Sequence, residues 1–311
     1  MQNQYLPEGS IISTLENQEY LYSLSSLEKA MEKQKILEAN AILCDSDFRL
    51  HVDLRCCKGI MPRNEVQYSP NGEDVKDIAV LTRVGKPICF KITGFTKNER
   101  GEICALLSRK SAQIECMNNY ISNLVAGDII PSKITHMENF GAFVDIGCGI
   151  ISLLSIDCIS VSRISRPRDR FCVGDKIYTV IKMIADDGRI YVSHRELLGT
   201  WEENAAMFSS GQTVAGIIRS IESYGIFVEL MPNLAGLAEL KGGVKTNQSA
   251  AVYIKSIIPD KMKIKLIIID SHADTDTKKE LKYFIEPKKC THIDYWRYSP
   301  DSSEKIIDTL F

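Results

Sequence analysis

Along 142–146 the side chains alternate: Ala142, Val144 and Ile146 on one side, Phe143 and Asp145 on the other. A period of two marks a strand with one buried face. The aliphatic face turns inward, so Phe143 shares the outer face with a carboxylate. Ile226, Val228 and Leu230 alternate with Phe227 and Glu229 in the same way. The repetition runs further. GDIIPSKITHMENFGAFVDI (127–146) returns without a gap as GQTVAGIIRSIESYGIFVEL (211–230), an offset of 84 (211 minus 127). A segment repeated at fixed spacing is a module used more than once. Each copy has an apolar first strand, a turn with an aromatic and a glycine, and a second strand with an outward Phe.

The pattern around the first copy predicts strands at 129–137 and 142–147, joined by a turn over 138–141, and a third at 150–154. A fourth follows at 176–184. Asp186-Asp187-Gly188 is a hairpin turn, and 189–193 closes the set. In that last strand Ile190 and Val192 point inward, leaving Arg189, Tyr191 and Ser193 outward. The later copy closes similarly, with Ile264 and Leu266 inward and Lys263 and Lys265 outward. Five short strands with glycine turns fit a small closed barrel, for which the OB-fold is the commonest solution.

Helical spacing places a helix at 23–35, a linker helix over 110–125 and another over 198–209. The expected organisation is an N-terminal segment (1–35), a first β-module (36–109), a second (126–197), a third (210–270) and a tail (271–311). Residues 1–22 show no clear period and are expected to be loosely held. A short helix is expected near 303–310, and the aromatic cluster Tyr295, Trp296 and Tyr298 is expected to pack the tail onto the third module. The fold class is therefore all-β with helical connectors: three tandem five-stranded barrels.

Composition narrows the function. A net charge of −2 over 311 residues gives no basic field, which argues against tight duplex binding, where phosphate neutralisation dominates. Stacking on single strands is compatible with that charge. The ten cysteines form no CxxC pair, and the polar N-terminus does not read as a signal peptide, so reduced thiols and a cytoplasmic location are expected. The apolar runs are too short to cross a bilayer. There is no Gly-rich phosphate loop and no HExxH. His51 with Cys56 and Cys57, and Cys290 with His292, lack zinc-site spacing. Hence no catalytic residue, metal, cofactor or small-molecule substrate is expected.

FGAFVDIG, the following G…LL segment, VGDKI and GRIYVSHREL resemble the ribosomal S1-motif RNA-binding family. YGIFVEL, AGLAEL and the closing KIKL strand resemble a second member. DFRLHVDL, KGIMPRNE and LLSRK extend the resemblance to the first module more weakly. The whole chain is similar to short bacterial S1-like proteins with three repeats. The resemblance implies an OB barrel and single-stranded RNA as ligand. The family's two aromatics at the turn match Phe140 and Phe143, Tyr224 and Phe227, and, in the first module, Phe48 and His51. Its basic residue opening the last strand matches Arg189 and Lys263. The histidine that often follows the third strand is absent, with Pro62, Ser155 and Glu239 there. The acidic residue that often precedes the basic one is displaced by Ala185 and Pro259.

The residues support the same chemistry. Phe140, Phe143, Tyr224 and Phe227 can stack bases, at roughly 1–3 kcal/mol each. For Phe140 and Tyr224, stapling of the hairpin weighs equally with stacking. Arg189 can reach a phosphate or lie on a base, beside Tyr191. Lys133 and Thr135 share the outward register of the first strand, as does Arg219 in the third module; a solvated surface charge is the alternative for Lys133 and Arg219. Arg163, Arg166, Arg168 and Arg170 gather against Asp169 alone, in a region where the third module is about ten residues shorter (263 minus 189 is 74, not 84). That loop can grip phosphates, remain solvated or bond to a neighbouring module. The first module puts Cys104 and Leu106 outward where the others carry Arg, Tyr or Lys, which reads as structural or protein-binding. The favoured function is non-catalytic binding of single-stranded RNA or mRNA in translation, with the small ribosomal subunit as a candidate partner. A docking scaffold is the alternative, and an enzyme subunit the weakest.

Overall fold

The computed structural model describes residues 5–69, 72–273 and 281–311. It contains three closed five-stranded barrels. Two helices come first, α1 (Leu15–Tyr20) and α2 (Leu24–Glu32). The first barrel comprises β1 (Leu37–Cys44), β2 (Leu50–Asp53), β3 (Lys58–Met61), β4 (Pro87–Lys97) and β5 (Ile103–Ser108), with α3 (Asp77–Leu81) before β4. Helix α4 (Arg109–Asn119) leads to the second barrel: β6 (Ile129–Glu138), β7 (Gly141–Asp145), β8 (Ile151–Ser155), β9 (Lys176–Ile184) and β10 (Ile190–Ser193). Helix α5 (Trp201–Ala205) precedes the third: β11 (Thr213–Glu222), β12 (Gly225–Met231), β13 (Leu234–Ala238), β14 (Gln248–Ile258) and β15 (Lys263–Ala273). In each barrel the first three strands form a meander, and the third and fifth pair in parallel to close it.

Local chemistry sets the helix ends. The Ser23 side chain caps α2 by accepting from Ser26 N, and Thr200 with Glu203 forms a capping box on α5. Helix α4 takes up most of the first expected linker, ending at Asn119, whereas α5 covers only five residues of the second. In β12, Ile226, Val228 and Leu230 are inside as its sequence predicts, though Glu229 is buried as well.

Contacts divide the chain into two units: residues 5–124 with 131–133 and 145–151, and residues 125–130, 134–144 and 152–311. In the first unit Leu27 and Ala30 of α2 join Leu37, Leu50, Val52, Phe90 and Leu107 in one buried cluster. The N-terminal segment is not loose: Tyr5 and Glu8 are buried. Glu8 accepts from the fully buried Arg109 at Nε (2.6 Å) and donates its own N–H to Asp145 (2.7 Å). One buried ion pair anchors a stretch without hydrophobic period, and alternation cannot report that.

In the second unit Trp201, Trp296 and Tyr298 lie in the third barrel's core cluster, so the tail packs on that barrel as expected. The end of the tail differs. In place of a helix near 303–310, β17 (Asp308–Leu310) pairs antiparallel with β16 (Tyr295–Arg297), because the partner strand is at hand and supplies backbone bonds a short helix cannot match. Among the described residues no helix is long and apolar enough to cross a membrane.

Candidate nucleic-acid interface

The glycine of each turn is required by packing. A Cβ on Gly141 would lie 2.5 Å from Leu154 O, and one on Gly225 2.7 Å from Ala238 O. With glycine there the second and third strands close up, and the ring before each glycine is thrown outward. Phe140 is 57% exposed and Tyr224 68%. Phe143 and Phe227 are half-buried on the outer face of the next strand. The two pairs have the same geometry: Phe140 on Phe143 and Tyr224 on Phe227 each meet edge to face, with centroids 6.1 Å apart at 89°. Each half-buried ring is thus flanked by the exposed ring of its turn.

Pairing places the other residues. In the third barrel Phe227 of β12 is opposite Leu237 of β13, which is opposite Lys265 of β15. The residues of one such row share a face, so the exposed Lys265 stands two strands from the ring, with Lys263 exposed nearby. In the second barrel Tyr191 of β10 pairs with Leu153 of β8, which neighbours the strand of Phe143. Tyr191 is half-buried. Arg189 immediately precedes β10, 74% exposed and 3.3 Å from Asp187.

Three basic residues expected on this surface are otherwise engaged. Arg219 is nearly buried and donates twice to Glu229, from Nε at 2.8 Å and Nη2 at 3.2 Å. The cause is a β-bulge between Ile218 and Ser220, which breaks the period of two and takes Arg219 out of the ring's register. Arg170 also grips Glu229, at 2.7 and 2.9 Å. Lys133 donates to Glu8 O at 2.7 Å. The outward carboxylates of the alternation are likewise covered: Asp145 is 1% and Glu229 4% exposed. Burial would raise the Glu229 carboxyl, but the two guanidiniums outweigh it and hold it below its ordinary value. Asp145, with Glu8 as its neighbour, is pushed up by burial and by that second carboxylate. Arg166 and Arg168 remain exposed, Arg166 3.9 Å from Asp169.

One ring escaped the sequence reading. His136 lies 6.1 Å from Phe143 and 24° from parallel, extending the platform to three rings. Its Nε2 is 2.7 Å from Glu138. Simple alternation hides it, because the burial pattern of β6 slips at the place corresponding to the third barrel's bulge. The first barrel's row reads His51, Ile60, Leu106. His51 is held by Asp45 at 2.8 Å, and Phe48 lies under Arg63 at 5.2 Å, so neither ring forms a free pair. Cys104 faces outward by parity yet is buried. Among the described residues no group of three or more His, Cys, Asp or Glu could hold a metal ion.

Residues 124–195, which hold the second barrel, match the S1 RNA-binding domain family. Over 254 residues the chain is 26% identical to a small ribosomal subunit protein bS1 homolog of Bacillus cereus, covering 79% of this chain and 62% of that protein. It is 31% identical over 142 residues to the small ribosomal subunit protein bS1 of Staphylococcus haemolyticus, 43% of this chain and 36% of that one. The chain thus spans less than two thirds of these relatives. A solved multidomain protein with nucleic acid binding domains from Streptococcus pneumoniae aligns at 12% identity and a TM-score of 0.25, over 76% of this chain and 74% of that one.

Proposed function

We propose that this chain binds single-stranded RNA without chemical conversion and does so in translation, with the small ribosomal subunit as partner. Bases stack on Phe140 and Phe143 in the second barrel and on Tyr224 and Phe227 in the third. Arg189, Lys263 and Lys265 meet phosphates, and Tyr191 and His136 widen the second platform. The observation that carries this is the recurrence of one open ring pair, with the same distance and angle, at the same turn of two barrels. A ring needed only as a hairpin staple would not be left more than half exposed twice. Two π faces beside cations suit unpaired bases, because every base can stack. A duplex offers no free base faces, and the near-neutral charge gives weak phosphate attraction. Similarity to bS1 proteins supports the assignment to translation.

The first barrel has its own reading. Its ring slot is engaged, and Ile42, Leu43, Ile78 and Leu81 are exposed, which favours a structural or protein-contact role.

The test is titration of a fluorescent oligouridylate at two salt concentrations, with a duplex control. Phe143→Ala and Phe227→Ala are each expected to lose about 1–3 kcal/mol of binding. Unchanged affinity in both variants, or preference for the duplex, would refute the proposal.

A further inference from the structure

The arginine-rich connection between β8 and β9 belongs to the second barrel, and both of its ends stay bonded to it, but its middle stretch is bonded to the third. It leaves the second barrel along the end of β12: Val161 N donates to Asn233 Oδ1 at 2.9 Å, and Ser162 N to Pro232 O at 3.2 Å. It is fixed again at its far end, where Arg170 reaches Glu229. Between the two anchors the connection moves from Asn233, just past β12, back to Glu229 within it. Glu229 is two residues from Phe227, on the same face, about 7 Å along the strand. Arg163, Arg166 and Arg168 lie between the anchors and are exposed. Among the described residues neither Arg163 nor Arg168 forms an ion pair.

We infer that this connection is the phosphate-binding edge of the third barrel's ring pair, so that two barrels build one composite site for a single RNA strand. Bases lie on Tyr224 and Phe227, and Arg166 and Arg168, carried by the preceding barrel, hold the backbone beside them. The inference rests on the proposed function and adds to it which arginines serve which rings. The third barrel's own connection is about ten residues shorter (the 84 and 74 offsets). Its Lys241 is already spent on Ile268 O and Ile269 O. That leaves Lys245 exposed on it, and the longer loop of the second barrel adds Arg166 and Arg168. Arg170 is a positioning residue here: buried on Glu229, it fixes where the free arginines stand.

A double-mutant cycle on the full chain separates the possibilities, with oligouridylate as the probe. Arg166→Ala with Arg168→Ala alters exposed side chains only, and tryptophan fluorescence checks that the fold is kept. The pair should weaken binding and make the slope of log affinity against log salt shallower by about 1.4, at about 0.7 per lost contact. Combined with Tyr224→Ala, the effect should depart from the product of the separate effects by at least about twofold. Combined with Phe140→Ala, the effects should simply multiply. Coupling to Phe140 in place of Tyr224 would overturn the inference while leaving the stacking proposal intact. So would a loop variant with unchanged affinity and slope when Tyr224→Ala still weakens binding. If neither ring substitution weakens binding, the stacking proposal itself fails, and the composite site falls with it.

Discussion

Replacing Glu229 with alanine leaves two guanidiniums facing each other without their shared carboxylate. The side chains of Arg170, Arg219 and Glu229 are only 7%, 8% and 4% exposed. Neither arginine can turn to water without moving a loop or a strand. Breaking a buried pair by removing one partner costs about 3–5 kcal/mol, since an uncompensated charge stays behind. A domain is stable by only about 5–15 kcal/mol, so the variant should lose a large share of its margin. The chain has two tryptophans, Trp201 and Trp296, both in the third barrel's core. Their fluorescence during guanidinium chloride unfolding therefore reports the unit that holds the triad. The midpoint should fall with little change in slope. The companion variant Glu229→Leu, Arg170→Met, Arg219→Met replaces all three by apolar groups and should recover most of the loss. A loss below about 1 kcal/mol for Glu229→Ala would mean the triad behaves as a solvated surface pair, and the reasoning about its burial would be wrong.

Two further outcomes concern the first unit. Glu38 is buried under Ile11 N and Ile12 N, and burial pushes its carboxyl up to about 7. A carboxyl whose folded pKa is raised contributes stability below its unfolded value of 4.5, and that contribution is lost as pH rises through about 7. Calorimetry should show the first unit melting lower at pH 7.5 than at pH 5, and Glu38→Gln should flatten that dependence; a slope unchanged in the variant would contradict the assignment. Gly149 has φ +74, and a Cβ there would lie 1.8 Å from Arg109 Nη2. Gly149→Ala should destabilise by about 2–4 kcal/mol, seen as a lower midpoint in thermal unfolding, whereas a near-neutral result would show that the Arg109 network yields easily.

Much of the fold was legible because it is written in local period. The strands of the second barrel fall within a residue or two of the positions that alternation and glycine turns predict. The offset of 84 predicted that Phe143 and Phe227 would stand alike, and they do. Part of what alternation misread lies at a β-bulge, where parity slips by one. Arg219 therefore left the ring's register and His136 entered it.

The sequence alone determined three barrels of one kind and an outward ring on two of them, since a buried face, a turn glycine and a repeat are all properties of neighbouring residues. Only tertiary structure decided which charges are free. Whether Arg170 or Arg168 meets solvent depends on Glu229, 59 residues from Arg170 along the chain, and Glu8 finds Arg109 across 101. Electrostatic partners over such separations are chosen by the packing of whole barrels, and no local pattern encodes that.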